Sequence, residues 1–478
     1  MDLRIELDGR GDLAGQLYRQ IVDLVTSGML RSGEALPSSR ELAAQLALSR
    51  NTVALAYERL VWEGFVKTRA GVGTFVSSLS VGQLQSSAVV PSNVGPRVRA
   101  VWNQIPDPPD LSAWTPRFDF RAGIPDTHSF PFASWRAAVS DQLRSTAVGT
   151  GAYGDPVGDP RLRVAVARHI VVSRSVRCGP EDVLITSGIQ QAIDLICRVL
   201  LEPGDVVAVE DPGYGPPRML FRSLGLSIVG VPVDDKGLVV DALPDNARLV
   251  YVTPAHQFPL GVPMSLPRRL ALLEWAARTG AIIIEDDYDS EFRFGGRPLE
   301  PLQSLDRHGT VLYVGSFSKV MLPTIRLGFL IAPPALCRAL RKAKWVADWH
   351  SVVPLQGALA RFIEDGQLAR HLRRMRRIYA ERHHRLQTLL HGAFDRTLSL
   401  VPSLAGLHVS VVSPESSFDD VTMAIKAAAL GVAVRPLSFH SVTLKPKAAG
   451  LVLGYGALPV DDIEEALALL DRCLPGSR

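Results

Sequence analysis

Cysteine is scarce in this chain, with four among 478 residues, at positions 178, 197, 337 and 473. No two have a C-x-x-C spacing and none falls in a His/Cys cluster. Neither a disulfide framework nor a metal site is therefore expected, and the expected compartment is the cytoplasm. No apolar run is long enough to cross a bilayer, so no membrane partner is expected. The first residues, MDLRIELDGRGDLAG, lack a basic segment followed by an apolar one, so no secretory signal is expected. Charge of one sign is also missing: the net charge of +4 neither requires nor excludes a nucleic-acid partner, which must be argued from a motif. What is present is 47% hydrophobic and 21% charged residues, the composition of a globular protein. At ~100–200 residues per domain the length suggests two to four domains.

The stretch from Val314 to Leu330, VGSFSKVMLPTIRLGFL, is centred on Lys319. Among Phe317, Val320, Met321 and Leu322 a lysine is desolvated, its pKa falls, and the neutral amine becomes a nucleophile for an aldehyde. Ser316, Ser318 and Arg326 add donors suited to a phosphate. Together these groups suit pyridoxal 5′-phosphate. A single lysine in apolar sequence also reads as a snorkelling surface residue. A second constellation decides between the two, because the apolar run from Ala281 to Ile284 ends in Glu285-Asp286-Asp287-Tyr288. Acids at the carboxyl end of a buried strand face ligands in a parallel sheet, and a carboxylate against a pyridine nitrogen keeps that ring an electron sink. From about Phe118 to its C-terminus the chain resembles the fold-type I aminotransferase superfamily.

Apolar positions Leu17, Ile21, Leu24 and Val25 predict a first helix within Leu13 to Leu30, stopping near Ser32-Gly33. Ser38 with Glu41 has the form of a capping box ahead of Leu42 and Leu46. Val53, Ala56, Tyr57, Leu60 and Val61 then form a helical stripe after Ser49-Arg50-Asn51-Thr52. Phe65 to Thr68, a glycine turn and Thr74 to Val76 predict a hairpin. This is a winged helix-turn-helix pattern, in which the start of the second helix of the pair reads base edges in the major groove. Ser49, Arg50, Asn51 and Thr52 occupy that start, and Arg and Asn are the side chains that read guanine and adenine. Arg40, Gly73 and Thr74 are expected against phosphates or the minor groove. Basic and acidic residues balance in this segment, so charge alone leaves a docking or oligomerisation module open. The segment resembles the GntR-type winged helix through LPSSRELAAQLALSRNTVALAYERLVWEGFV and GVGTFV.

From about Ser77 to Pro116 the chain is rich in Ser, Val, Pro, Gln and Asn, and its prolines exclude a continuous helix. The expected organisation is a DNA-binding domain over 1–78, a tether over 79–116 and an effector domain over 117–478. The tether allows the first domain to lie against a partner subunit. Beyond it, Val183 to Ile185, Val206 to Val209, Leu249 to Val252 and Ala281 to Ile284 alternate with helical stretches, which predicts an α/β domain with a mostly parallel sheet and a small C-terminal subdomain. A dense basic run, Arg370 to Arg377, reads as a solvated helix face, the alternative being a surface that tracks phosphates.

The superfamily resemblance implies that Gly188, Ile189 and Gln190 hold the cofactor phosphate with Ser316, Ser318 and Arg326. It implies that Tyr214 stacks on the ring, Asp286 pairs with the ring nitrogen, Tyr288 approaches the ring hydroxyl and Lys319 forms the aldimine. Tyr153 is similar to the tyrosine that reaches the phosphate of the partner subunit. Two departures stand out. Phe258, in His256-Gln257-Phe258-Pro259-Leu260-Gly261, takes the place of an asparagine that touches the ring hydroxyl. Val452 takes the place of the arginine that holds the substrate carboxylate, leaving Arg435 as a cation for some ligand.

The two halves together resemble the MocR/GabR/PdxR group of transcription regulators. The resemblance implies a homodimer that binds double-stranded DNA, with pyridoxal 5′-phosphate on Lys319 and the state of that adduct, or an amine ligand, controlling DNA-binding geometry. Among these regulators the departures favour a sensor of the cofactor itself, controlling vitamin B6 synthesis. The alternatives are an active aminotransferase and a regulator sensing an amino acid or other amine. Physiological turnover is not expected beyond a residual half-reaction.

Overall fold

A computed structural model describes residues 3, 5–8, 11–78, 97–107, 115–144, 151–295, 299–393, 397–415, 417–443 and 449–474. The expected tether lies largely outside the described residues, at 79–96 and 108–114. The chain divides into two compact units, Met1–Arg99 and Ala100–Arg478. Among the described residues no helix is long and apolar enough to cross a membrane.

In the first unit, α1 (Leu13–Thr26) starts where the Asp12 carboxylate accepts the Gly15 amide, and it buries Leu17, Tyr18, Ile21 and Val25. It stops short of Leu30, because Gly28 takes a left-handed φ of 76° and the Leu30 amide turns back to the Leu24 carbonyl. β1 (Ala35–Leu36) leads into α2 (Ser39–Gln45), whose capping box is complete: Ser38 Oγ accepts the Glu41 amide at 3.2 Å, and Glu41 accepts the Ser38 amide at 2.8 Å. α3 (Arg50–Trp62) is capped by Ser49 and buries Val53, Ala56, Tyr57 and Leu60. Val61, the fifth residue of the stripe, is exposed instead. β2 (Val66–Arg69) and β3 (Gly73–Val76) form the wing hairpin, with β1 antiparallel on the other edge of β3.

In the second unit the strands are β4 (Phe118–Asp119), β5 (Val183–Thr186), β6 (Val206–Asp211), β7 (Ser227–Asp234), β8 (Gly237–Leu238), β9 (Ala247–Val252), β10 (Ile282–Asp287), β11 (Val311–Ser316) and β12 (Gly328–Ile331). β5 to β12 make one sheet in the order β5-β12-β11-β10-β9-β6-β7-β8. Strands β7, β6, β9, β10 and β11 run parallel, whereas β12 is antiparallel to both its neighbours and β8 to β7, so the sheet is mixed. β5, β6, β9 and β10 are buried along most of their length, which is why the four apolar runs read as strands without alternation.

A smaller sheet joins β13 (Ser399–Leu400), β14 (His408–Val412), β17 (Gly450–Gly454) and β16 (Arg435–Pro436), while β15 (Val432–Ala433) pairs with β4. The helix Gln367–Ala393 buries Leu368, Leu372, Met375, Tyr379, Leu386 and Leu390, and leaves Arg370, Arg373, Arg374 and Arg377 exposed. The basic run is thus the outer face of an amphipathic helix.

Candidate functional site

Strands β10 and β11 end in Asp286-Asp287 and Ser316, and the chain after β11 turns at once into Phe317-Ser318-Lys319 before returning as β12. These carboxyl ends open into a cavity of about 220 Å³ lined by Lys319, Asp286, Tyr214, Ile189, Gln190 and Arg326 among others. Phe317, Val320, Met321 and Leu322 are all buried around Lys319. That burial lowers the pKa of the amine, with Arg326 reinforcing the effect and Asp289 and Asp286 opposing it. Lys319 Nζ donates to the Gly123 carbonyl at 2.8 Å.

Asp286 is buried at the end of β10. One carboxylate oxygen takes the hydroxyl of Tyr251, while Oδ1 has no hydrogen-bond partner among the described residues. Burial pushes the pKa of Asp286 up to about 7, helped by Asp287 and Asp289 and opposed by the Tyr251 hydroxyl and Lys319. A buried acceptor with nothing to accept is costly, and a protonated ring nitrogen is a donor of the kind it lacks.

At the other end of the cavity Gly188, with φ of 83°, caps the helix Ile189–Leu200, whose first residues Ile189 and Gln190 line the space. Ser316 and Ser318 line it too, and the Ser318 amide donates to Ser316 Oγ at 3.0 Å. Arg326 Nη2 donates to the Ser187 carbonyl at 3.0 Å, and a Cβ on Gly188 would stand 3.1 Å from that nitrogen. A helix N-terminus, two hydroxyls and a guanidinium thus converge on one end of the cavity, a donor set matched to a phosphate.

Between these ends, Tyr214 and Phe258 meet edge to face at 5.4 Å and wall the cavity. The Tyr288 ring also lines it, but its hydroxyl donates to the His256 carbonyl at 2.9 Å and lies 3.0 Å from His256 Nδ1. Gly123, Thr253, Asp289, Leu407 and His408 line the cavity as well and were not anticipated. Of these Gly123, in the Ala122-Gly123-Ile124-Pro125 turn, and Asp289, next to Tyr288, carry a local signal; Thr253, Leu407 and His408 come from segments far from Lys319 in sequence. Tyr153 does not reach this cavity: it is 76% exposed and lies against Trp349 at 4.4 Å. Val452 is fully buried in β17, and its cross-strand neighbour is Arg435.

In the first unit the Ser49 and Thr52 hydroxyls are 2.8 Å apart and Ser49 Oγ also accepts the Thr52 amide, so both are engaged in capping α3. Arg50 and Asn51, in the same turn, and Arg40, on α2, present exposed side chains. Gly73 and Thr74 open β3 at the wing, where Gly73 takes a φ of 142° and is exposed.

Residues 13–76 match the bacterial regulatory proteins of the gntR family, and residues 116–450 match the aminotransferase class I and II family. The chain is 34% identical over 469 residues to the probable rhizopine catabolism regulatory protein MocR of Rhizobium meliloti, covering 97% of this chain and 94% of that one. It is 34% identical over 453 residues to the HTH-type pyridoxine biosynthesis transcriptional regulator PdxR of Corynebacterium glutamicum, covering 95% and 94%. Among solved structures it is similar to LysN, the α-aminoadipate aminotransferase of Thermus thermophilus complexed with N-(5′-phosphopyridoxyl)-L-leucine. There the TM-score is 0.68 and the identity 30%, over 75% of this chain and 92% of that one.

Proposed function

Because the chain belongs to the MocR-type transcription regulators, in which a gntR-family DNA-binding domain precedes a class I and II aminotransferase domain, we propose that its second unit is a receptor for pyridoxal 5′-phosphate. The observation that carries this reading is the pairing of Lys319 with Asp286 in one cavity: a desolvated amine, and a buried carboxylate oxygen left without a donor among the described residues. When bound, the cofactor supplies an aldehyde that condenses with amines and a ring that accepts electrons. Lys319 would provide the amine, Asp286 would accept from the ring nitrogen, and Tyr214 would pack against the ring. Tyr288, whose hydroxyl donates to the His256 carbonyl, would stand on the side of the ring hydroxyl. Gly188, Ile189, Gln190, Ser316, Ser318 and Arg326 would hold the phosphate.

The effector in this reading is the cofactor itself, and the regulated process is vitamin B6 synthesis. Among the described residues that line the cavity Arg326 is the only arginine, and it belongs to the phosphate end. Val452 offers no cation to a substrate carboxylate, and such a group is costly to bury unpaired. The similarity to PdxR supports the same reading. A second reading, an amine ligand that carries a carboxylate, rests on Arg435, which stands beside Val452 on the neighbouring strand with no ion pair or side-chain hydrogen bond among the described residues, but which is not among the residues lining the Lys319 cavity.

The proposed assembly is a cytoplasmic homodimer with domains over 1–78 and 117–478 joined by a tether over 79–116. Tyr153, Trp345, Trp349 and Val352 are exposed apolar side chains on the second unit, the kind of surface that a second copy covers, and Tyr153 is then available to the partner's phosphate. DNA is read by Arg50 and Asn51, with Arg40, Ser49, Thr52, Gly73 and Thr74 along the backbone. For DNA affinity to respond, the ligand must bind two states of the dimer unequally. Footprinting on the regulator's own operator, with and without pyridoxal 5′-phosphate, tests this: protection changes in the wild type and not in Lys319→Ala. Identical footprints in all four samples refute it, and turnover with a keto acid that requires Lys319 makes the protein an enzyme.

A further inference from the structure

We propose that the second unit carries another small-molecule site, separate from the Lys319 cavity, which takes a carboxylate with an apolar body. Two spaces meet at Ala255, Arg293 and Ala405. One, of about 140 Å³, is polar and is walled by Ser173, Arg174, Ser290, Glu291 and Arg376. The other, of about 360 Å³, is mainly apolar, with Pro263, Leu400, Pro402 and Leu404 in its wall. Neither shares a residue with the Lys319 cavity.

The charges in the polar chamber do not close among the described residues. Arg174, with only 9% of its side chain exposed, stands 3.2 Å from Asp287 and 3.3 Å from Glu291. Its Nε and Nη2 are not aligned for a hydrogen bond with either. Arg376 Nε donates to the backbone carbonyl of Glu291 at 2.6 Å, which leaves its charge unmatched. Arg293 has no carboxylate at ion-pair distance, and its buried Nε has no acceptor. The buried Ser173 hydroxyl has no partner either. His169 faces the same cluster, and burial together with Arg174 and Arg376 pushes its pKa down to about 4, so it stays neutral near pH 7 and leaves the charge count unchanged.

Both carboxylates flank Arg174, so Arg376 and Arg293 are left without one among the described residues; Arg376 is exposed to water, which leaves Arg293, at the junction of the two chambers, as the partly buried unmatched cation. An unmatched, partly desolvated cation is costly, and an incoming monoanion removes that cost. One excess charge and a small polar chamber suit a carboxylate head, while the wider apolar chamber suits a hydrocarbon or aromatic body. The site also adjoins the wall of the Lys319 cavity: Ser403, in the apolar chamber, has its Oγ 3.1 Å from His256 Nε2, and His256 holds Asp289 at 3.0 Å.

Calorimetric titration of the full-length protein, with pyridoxal 5′-phosphate at saturation, tests the site with 3-phenylpropionate and its neutral analogue 3-phenylpropan-1-ol as probes. The expected result is saturable binding of the carboxylate and none of the alcohol. Arg293→Gln should weaken binding about tenfold or more through loss of a charge-assisted hydrogen bond. Leu404→Asp, a change at a position 55% exposed, places a repelling charge beside the apolar body and keeps the test open if Arg293→Gln does not fold. The proposal fails if the alcohol binds as well as the acid, if the folded variants bind like the wild type, if pyridoxal 5′-phosphate displaces the probe, or if nothing saturates at millimolar concentration.

Discussion

Lys319 Nζ donates to the carbonyl of Gly123 at 2.8 Å, and a Cβ at position 123 would stand 2.6 Å from that nitrogen. Gly123 also has φ of 85°, a region costly for other residues, so the amine is held where only a glycine admits it.

Gly123→Ala is accordingly expected to weaken cofactor uptake about tenfold or more, since both the strain and the contact fall on the lysine. The second unit should still fold, because the added methyl meets a flexible side-chain end rather than backbone. Spectrophotometric titration with pyridoxal 5′-phosphate, beside far-UV circular dichroism, separates the two effects.

Asp286 makes the cofactor-free protein sensitive to pH. Its pKa rises from 3.8 to about 7 in the folded state, chiefly through burial, so the folded protein binds the extra proton in that interval. The contribution of Asp286 to stability should therefore fall as pH rises from about 4 to 7 and level off above, while Glu210 and Glu285, also buried with raised pKa, act in the same direction. Asp286→Asn removes the penalty. It is expected to stabilise the cofactor-free protein by about 2–4 kcal/mol near pH 8 and by less near pH 5, while weakening cofactor binding. Urea unfolding at the two pH values checks the sign.

At the DNA-binding unit, Ser49 and Asn51 should separate by readout. Ser49→Ala removes the cap of α3 and should cost about 1 kcal/mol of unfolding free energy in that unit. Asn51→Ala touches no internal bond among the described residues and should leave stability unchanged while relaxing discrimination at one base pair by about 1–3 kcal/mol. Thermal unfolding and competition binding with single-base operator variants measure each.

The features legible in the sequence are those set locally. The Ser38–Glu41 box and the stripe from Val53 to Leu60 depend on residues a few positions apart, and both stand where their spacing put them. The buried strand runs ending at Thr186 and Asp287 were equally plain, because a strand covered on both faces is simply apolar. β7 was not legible: its SIVGVPVD sequence contains a glycine and a proline and is only partly buried. The antiparallel β12 was not legible either, since strand direction is decided by where the chain re-enters the sheet. At the site, Lys319 and Asp286 carried their own local signals. The Gly123 carbonyl, the His256–Ser403 contact and the unmatched Arg293 arise from residues up to about two hundred positions apart, and no short window of sequence holds both partners.

The most direct test of the account is the visible absorption spectrum of the cofactor-stripped protein during titration with pyridoxal 5′-phosphate, wild type beside Lys319→Ala. A saturable visible band is expected in the wild type, absent in Lys319→Ala and unmoved by a panel of amines. A band that forms equally well without Lys319, or no band in either protein, would contradict the account.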